Sequence, residues 1–272
     1  MDMRKEVVEH IADLHIHSRN SCDAESTLDD MCQGAISNGV RVVCFTEHVD
    51  MNPQDEGYGF FQIDRYTQDL ERAREKYQGQ LEILKGIEFS EPHVYPKEFE
   101  VVTRADFDFV LGAVHWVEGF GPWWADSNRL SPDYPAERLL EAYYREVLKA
   151  VRFGGFDSLA HIDFPKRYVL VKHEPAGILN EIMAELVKKD IALELNSQPI
   201  RKGYTEINPS QYICELYSKH GGARVTTGSD AHRRGEIGKD FDRLDKVVLA
   251  HGFKPVLFRK RRVEPFETHK LR

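Results

Sequence analysis

The feature that most constrains the fold is an alternation of two kinds of segment. Short apolar, β-branched runs at residues 11–15, 40–45, 81–89, 107–114, 156–160, 191–195 and 224–227 are separated by stretches of helical periodicity, and 255–258 is an eighth candidate strand. Runs that are apolar throughout are buried on both faces. Buried strands that alternate with helices form a parallel sheet covered by those helices. The helical signals are specific. Thr27, with Asp30 three residues on, reads as an N-cap ahead of Met31, Ala35 and Ile36, and Asn38-Gly39 reads as the stop. Tyr66, Leu70, Ala73 and Tyr77 fall on one stripe of a helix over 64–77, and further helices are expected over 136–153, 176–189, 210–220 and 241–251. No repeat or linker divides the chain. Seven βα units in 272 residues favour an α/β barrel over an open sheet, and a barrel keeps its active site at the C-terminal ends of its strands.

Those strand ends share a chemistry. The first run ends in Asp13-Leu-His15-Ile-His17, whose two imidazoles point to one face because strand side chains alternate. The second ends in Thr46-Glu-His48, the third at Glu88, the fourth at His115 and the fifth at His161. The seventh ends in Gly228-Ser-Asp230-Ala-His232. In a barrel these residues converge on one mouth. Eight candidate ligands exceed the three or four protein groups of a single zinc site. Two or three divalent ions (Zn, Mn or Fe) fit the donor set, and paired metals suit hydrolysis of phosphate esters.

Composition excludes several alternatives. A net charge of −8 disfavours nucleic acid and anionic membranes as partners. The chain has no apolar run of transmembrane length, and its Met-Asp-Met-Arg-Lys-Glu start has no signal-type apolar core behind it. Its four cysteines form no Cys-x-x-Cys pair, so a cytoplasmic, disulfide-free protein is expected. His220 and His251 read as helix C-terminal residues, where a partly charged ring favours the helix dipole. His10, His93, His173 and His269 read as exposed.

The phrases Asp13-x-His-x-His17, Thr46-Glu-His48, Gly86-Ile-Glu-Phe89 and Gly228-Ser-Asp-Ala-His232 resemble the polymerase and histidinol phosphatase (PHP) superfamily. Gly112-Ala-Val-His115-Trp and Ala160-His-Ile-Asp-Phe-Pro-Lys-Arg167 are most similar to its histidinol-phosphatase branch. The resemblance implies a distorted (β/α)7 barrel in one domain over 1–258, with 259–272 as its basic, surface-lying tail. It implies a trinuclear centre: His15, His17, Glu88 and Asp230 at one metal; Glu88, His115 and His161 at a second; His48, His232 and Asp23 at a third. Asp23 stands where many relatives have a histidine. Asp13 is expected to orient a ligand imidazole. Arg167 and Arg201, with Lys202 as a weaker candidate, would bind phosphate. Asp163 or Glu118 would receive the substrate's ammonium, and Trp116, Phe120, Trp123 and Trp124 would wall its imidazole. Asp163 is also the candidate general acid, beside Glu88 and Asp230 as catalytic residues. The implied reaction is hydrolysis of a small phosphomonoester, histidinol phosphate above others. A phosphodiesterase or exonuclease of the same superfamily is the rival reading, and a metal-dependent scaffold ranks last.

Overall fold

The structure, a computed structural model, describes residues 12–118, 136–168 and 173–266. Seven strands follow one another in sheet order: β1 (Ala12–Ile16), β2 (Val42–Val49), β3 (Glu82–Ser90), β4 (Phe109–Ala113), β5 (Ser158–Leu159), β6 (Ala192–Asn196) and β7 (Arg224–Gly228). Each pairs in parallel with the next. The ends of β7 and β1 also meet. Ile16 and Ala231 form a parallel bridge, Asp230 N donates to His15 O at 2.7 Å and His17 N donates to Ala231 O at 2.9 Å. The seven strands therefore form the expected distorted α/β barrel, joined at the end where the ligand residues lie.

The helices cover the outside. They are α1 (Leu28–Ser37), α2 (Ile63–Lys76), α3 (Pro96–Val102), α4 (Ala136–Phe153), α5 (Ala176–Lys189), a single turn α6 (Gln198–Arg201), α7 (Gln211–Lys219) and α8 (Phe241–His251). One apolar cluster fills the space between strands and helices, with Met31, Phe45, Tyr66, Ile87, Tyr143, Ile182 and Leu193 all fully buried. The Tyr66 hydroxyl donates to Phe45 O at 2.8 Å, which pins α2 to β2. The capping box read from the sequence forms, with Asp30 N donating to Thr27 Oγ1 at 3.1 Å and Thr27 N donating to Asp30 Oδ2 at 3.2 Å.

A second, smaller cluster lies inside the barrel, where Leu14, Cys44, Leu84, Phe109 and Leu111 meet Val256, Leu257 and Phe258. Those last three belong to β8 (Lys254–Arg259), which pairs with the start of β7 and forms an antiparallel hairpin with β9 (Arg262–Pro265). The hairpin closes the barrel floor. Arg259 pairs with Glu82, Arg261 pairs with Asp157, and Lys260 N donates to Asp108 Oδ1 at 3.2 Å. The segment from residue 259 thus begins as a strand pair and not as a loose tail. Its turn residues, Lys260 and Arg261, both have positive φ, 50° and 62°. Such two-residue turns usually use Asn-Gly, so the Lys-Arg pair concealed the hairpin.

Three other expectations shift. β2 runs on through Thr46, Glu47 and His48, which places His48 in the strand itself. α3 was not foreseen; Pro96 starts it at a position where a missing N–H costs nothing. His93, expected to be exposed, packs against Glu146 at 2.9 Å with a side chain only 8% accessible. His220 and His251 sit at helix C-termini as read, and His10 and His269 lie outside the described residues.

Thr27→Ala should destabilise the protein by about 0.5–2 kcal/mol, because it opens the N-cap of α1. A denaturant midpoint shift with an unchanged slope is the expected observation.

Candidate metal centre

Glu88, on the last turn of pleat of β3, is the middle of the site and has no solvent exposure. Its Oε2 lies 3.2 Å from His15 Nε2, 3.2 Å from His48 Nδ1 and 3.6 Å from His17 Nε2. Its Oε1 lies 2.9 Å from His161 Nε2 and 3.6 Å from His115 Nε2. Asp230 Oδ1 lies 3.8 Å from His15 Nε2 and 3.6 Å from His17 Nε2. Asp23 Oδ2 lies 3.0 Å from His232 Nε2 and 3.5 Å from His48 Nε2. All nine residues singled out as ligands therefore meet in one place. Four overlapping triads have donor atoms within 4.8 Å of one another: His17, His48 and His232; His15, His161 and Asp230; His15, His17 and Glu88; and Glu88, His115 and His161.

Local backbone explains the placement. β1 presents His15 and His17, and β7 delivers Asp230 just past its end at φ 53°, a conformation rare for a residue with a side chain. Gly228 is required there, since a Cβ would fall 2.5 Å from Glu194 Oε1 and 2.5 Å from His15 Cβ. Asp13 does not orient an imidazole. Its Oδ1 accepts from Ser229 N at 2.8 Å and its Oδ2 from Gly238 N at 2.9 Å, so it anchors the backbone that carries Asp230. The imidazole partner is Glu194, a residue the sequence analysis passed over. Glu194 Oε1 meets His15 Nδ1 at 2.5 Å, and its Oε2 accepts from His161 N at 2.8 Å. Its signal was present as a lone charge inside the apolar run Ala192-Leu-Glu-Leu.

A cavity of about 730 Å³ opens over the cluster. One wall is basic. Arg167, Arg201 and Lys202 come from the loops after β5 and β6. Arg167 is buried; its Nη1 donates to Asp230 Oδ2 at 2.9 Å and to Gln198 Oε1 at 2.5 Å, while its Nε and Nη2 have no hydrogen-bond partner among the described residues. Arg201 donates to Ser229 O and to Ser197 Oγ. The other wall is acidic, with Asp50, Asp55 and Glu56 following β2. In the ring, β3 and β4 separate β2 from β5, and β1 and β7 separate it from β6, so the two walls face each other across the cluster. Trp116 joins the acidic wall through Nε1 donating to Asp55 Oδ2 at 2.7 Å.

Asp163 is elsewhere. Its Oδ2 accepts from Ser210 N at 2.9 Å and pairs with Lys166 at 3.1 Å, and the group lines a separate cavity of about 110 Å³. It does not line the large cavity, and Lys166 and Ser210 are its partners. Glu118 is exposed and does not line the cavity either. Phe120, Trp123 and Trp124 lie outside the described residues.

The electrostatics follow from burial of mixed charge. Burial opposes the charged form of every group here, and at His15, His48, Glu88 and Asp230 the nearest partners overcome it. Glu194, Glu88 and Asp230 hold the His15 pKa well above the ordinary imidazole value, and Asp23 and Glu88 do the same for His48. Against the same burial, His15 and His48 hold Glu88 well below the carboxylate range, and His15 and Arg167 do so for Asp230. His17, buried and flanked by His48 and His232, is pushed down to about 3. The donor set fits divalent transition metals. It mixes imidazole and carboxylate, and His17 Nε2, buried inside the cluster, has no hydrogen-bond partner among the described residues.

Fold and site together define an α/β barrel whose mouth carries groups of residues that could hold metal ions. The sequence model of the PHP domain family matches residues 13–198, and the chain belongs to that family. It is 27% identical over 259 residues to a probable histidinol-phosphatase of Clostridium acetobutylicum, which covers 92% of this chain and 98% of that protein. It is 28% identical over 264 residues to a probable histidinol-phosphatase of Deinococcus radiodurans, at 94% and 99% coverage. The fold matches the crystal structure of histidinol phosphate phosphatase from Lactococcus lactis complexed with Zn, L-histidinol and phosphate. That match has a TM-score of 0.82 at 23% identity over 93% of this chain and 98% of that one.

Two outcomes are expected. Glu194→Gln should weaken zinc binding roughly 10- to 100-fold while circular dichroism stays native, since the ligand His15 loses the carboxylate that holds it. Metal uptake should release protons. His15 and His48 keep their protons to higher pH than ordinary imidazoles, and ligation requires neutral rings. Adding zinc to weakly buffered metal-free protein near neutrality should acidify the solution, and affinity should rise with pH. A dye indicator reads the first, chelator competition the second.

Proposed function

We propose that this chain is a metal-dependent phosphomonoesterase that hydrolyses L-histidinol phosphate to L-histidinol and phosphate. The observation that carries the reading is Arg167. A buried guanidinium with two unpartnered donor groups, set beside the ligand cluster in an open cavity, is built to receive an anion. Arg201 and Lys202 add charge on the same wall. A monoester phosphate offers three terminal oxygens and two negative charges, which suits this surplus better than a diester does. The acidic wall of Asp50, Asp55 and Glu56 suits the ammonium and imidazole of histidinol, in place of Asp163. The names and full-length coverage of the relatives support the same substrate.

In this reading three ions would be held: one by His15, His17, Glu88 and Asp230, one by Glu88, His115 and His161, and one by His48, His232 and Asp23. Zinc is favoured by the bound zinc of the Lactococcus lactis enzyme. Metals there would supply Lewis acidity and water activation near neutral pH. The chain's own contribution is positioning and charge. Glu88 ties two ligand sets together, Asp230 ties the cluster to Arg167, and Arg167 with Arg201 neutralises the phosphoryl oxygens as charge moves to the leaving group. The substrate is a small soluble phosphate, and the chain works as one cytoplasmic domain in which the strands at Lys254–Arg259 and Arg262–Pro265 belong to the barrel. No described helix is long and apolar enough to cross a membrane.

Kinetics on histidinol phosphate and on a matched phosphodiester test the proposal. Arg201→Ala should lower kcat/KM for the monoester roughly 10- to 200-fold, the loss expected for one charge-assisted contact. Metal content should be unchanged. Equal wild-type activity on both esters would instead identify a phosphodiesterase.

A further inference from the structure

Four imidazoles of the cluster turn Nδ1 outward and Nε2 inward. His15 Nδ1 meets Glu194 Oε1 at 2.5 Å, and His232 Nδ1 meets the Asp230 carbonyl at 3.1 Å. His115 Nδ1 meets Ser90 Oγ at 3.0 Å, and His17 Nδ1 meets Ser21 Oγ at 3.4 Å. A carboxylate or a carbonyl only accepts. His15 and His232 therefore donate from Nδ1, and Nε2 is the atom each would offer to a metal once its own proton has left. A serine hydroxyl by itself would leave the direction open, because it both donates and accepts.

Behind each serine stands a carboxylate. Ser90 Oγ lies 2.6 Å from Asp50 Oδ1, and Ser21 Oγ lies 2.6 Å from Glu47 Oε2. Glu47 also accepts from the backbone N and the hydroxyl of Ser18. A serine has one proton. Given to the carboxylate, it leaves the hydroxyl oxygen able only to accept, and the imidazole must then be the donor.

We propose that Ser90 and Ser21 are positioning residues that relay Asp50 and Glu47 to His115 and His17, fixing the tautomer whose Nε2 lone pair faces the centre. Without the relay, a neutral ring exchanges between tautomers, and the form with Nε2–H points a proton at the place a metal occupies. The relay concerns the metal-centre reading and is independent of which phosphate ester is cleaved.

The test uses the full chain, metal-free and 15N-histidine-labelled, at a pH where these rings are neutral. NMR should show His115 and His17 protonated on Nδ1. Ser90→Ala should shift His115 toward the Nε2–H form and lower zinc affinity, by chelator competition, roughly 10- to 100-fold. Ser90→Thr keeps the hydroxyl and should keep both. Should Ser90→Ala fail to fold, Asp50→Ala gives the same reading, because it frees the serine proton to point at His115. Ser21→Ala reports on His17 in the same way. A wild-type His115 protonated on Nε2 would overturn the proposal, as would a Ser90→Ala protein with unchanged tautomer and zinc affinity. A failure to bind zinc at all would strike the metal reading, while the wild-type tautomers would still judge the relay.

Discussion

The structure turns on one buried carboxylate. Glu88 has no contact with solvent and stays ionised only because imidazoles surround it. An isolated charge at that depth is prohibitive, so the centre has to bring cations with it, as protons on histidine or as metal ions. Most of the strand ends around the mouth are arranged to that purpose. β1 supplies two rings, β2 one, the ends of β4 and β5 one each, and the turn after β7 an aspartate and a further ring.

This centre works against the stability of its own end of the barrel, and the opposite end compensates. At the mouth, polar groups displace apolar ones and Asp230 holds a strained backbone conformation. At the floor, Val256, Leu257 and Phe258 fill the barrel, and ion pairs from Arg259 and Arg261 reach β3 and the segment leading into β5. Chemistry and packing are thus separated along the barrel axis, the usual division in α/β barrels.

Charge is also divided across the mouth. Arg167, Arg201 and Lys202 arrive on loops from one side, and Asp50, Asp55 and Glu56 arrive from the other. The proposed substrate, with a phosphate at one end and a cationic nitrogen at the other, has the charge pattern of that field. Neither wall uses the barrel's own strands, so the pattern belongs to the loops and can change without disturbing the centre.

The sequence by itself determined the alternation of strand and helix, the parallel order of the seven strands and the eight candidate ligands at the strand ends. These are local matters of apolar period, capping and the residue at each strand end. Asp23 came from the family resemblance and Arg167 from its place just beyond a strand end, and both line the cavity. Only the tertiary structure decided the partnerships between distant elements. Glu194 lies far along the chain from the His15 it holds; its charge inside the apolar run of β6 marks it, but its partner is fixed only by the tertiary fold. Asp13 looked like an imidazole partner from its place in the motif, yet the return of β7 gives its oxygens to Ser229 and Gly238. Asp163 looked like part of the site because it follows His161 by two residues, but the turn at Phe164–Arg167 sends it to Lys166 and Ser210 and sends Arg167 inward. Which way a loop side chain points depends on what packs behind it, and a sequence read one segment at a time does not hold that information.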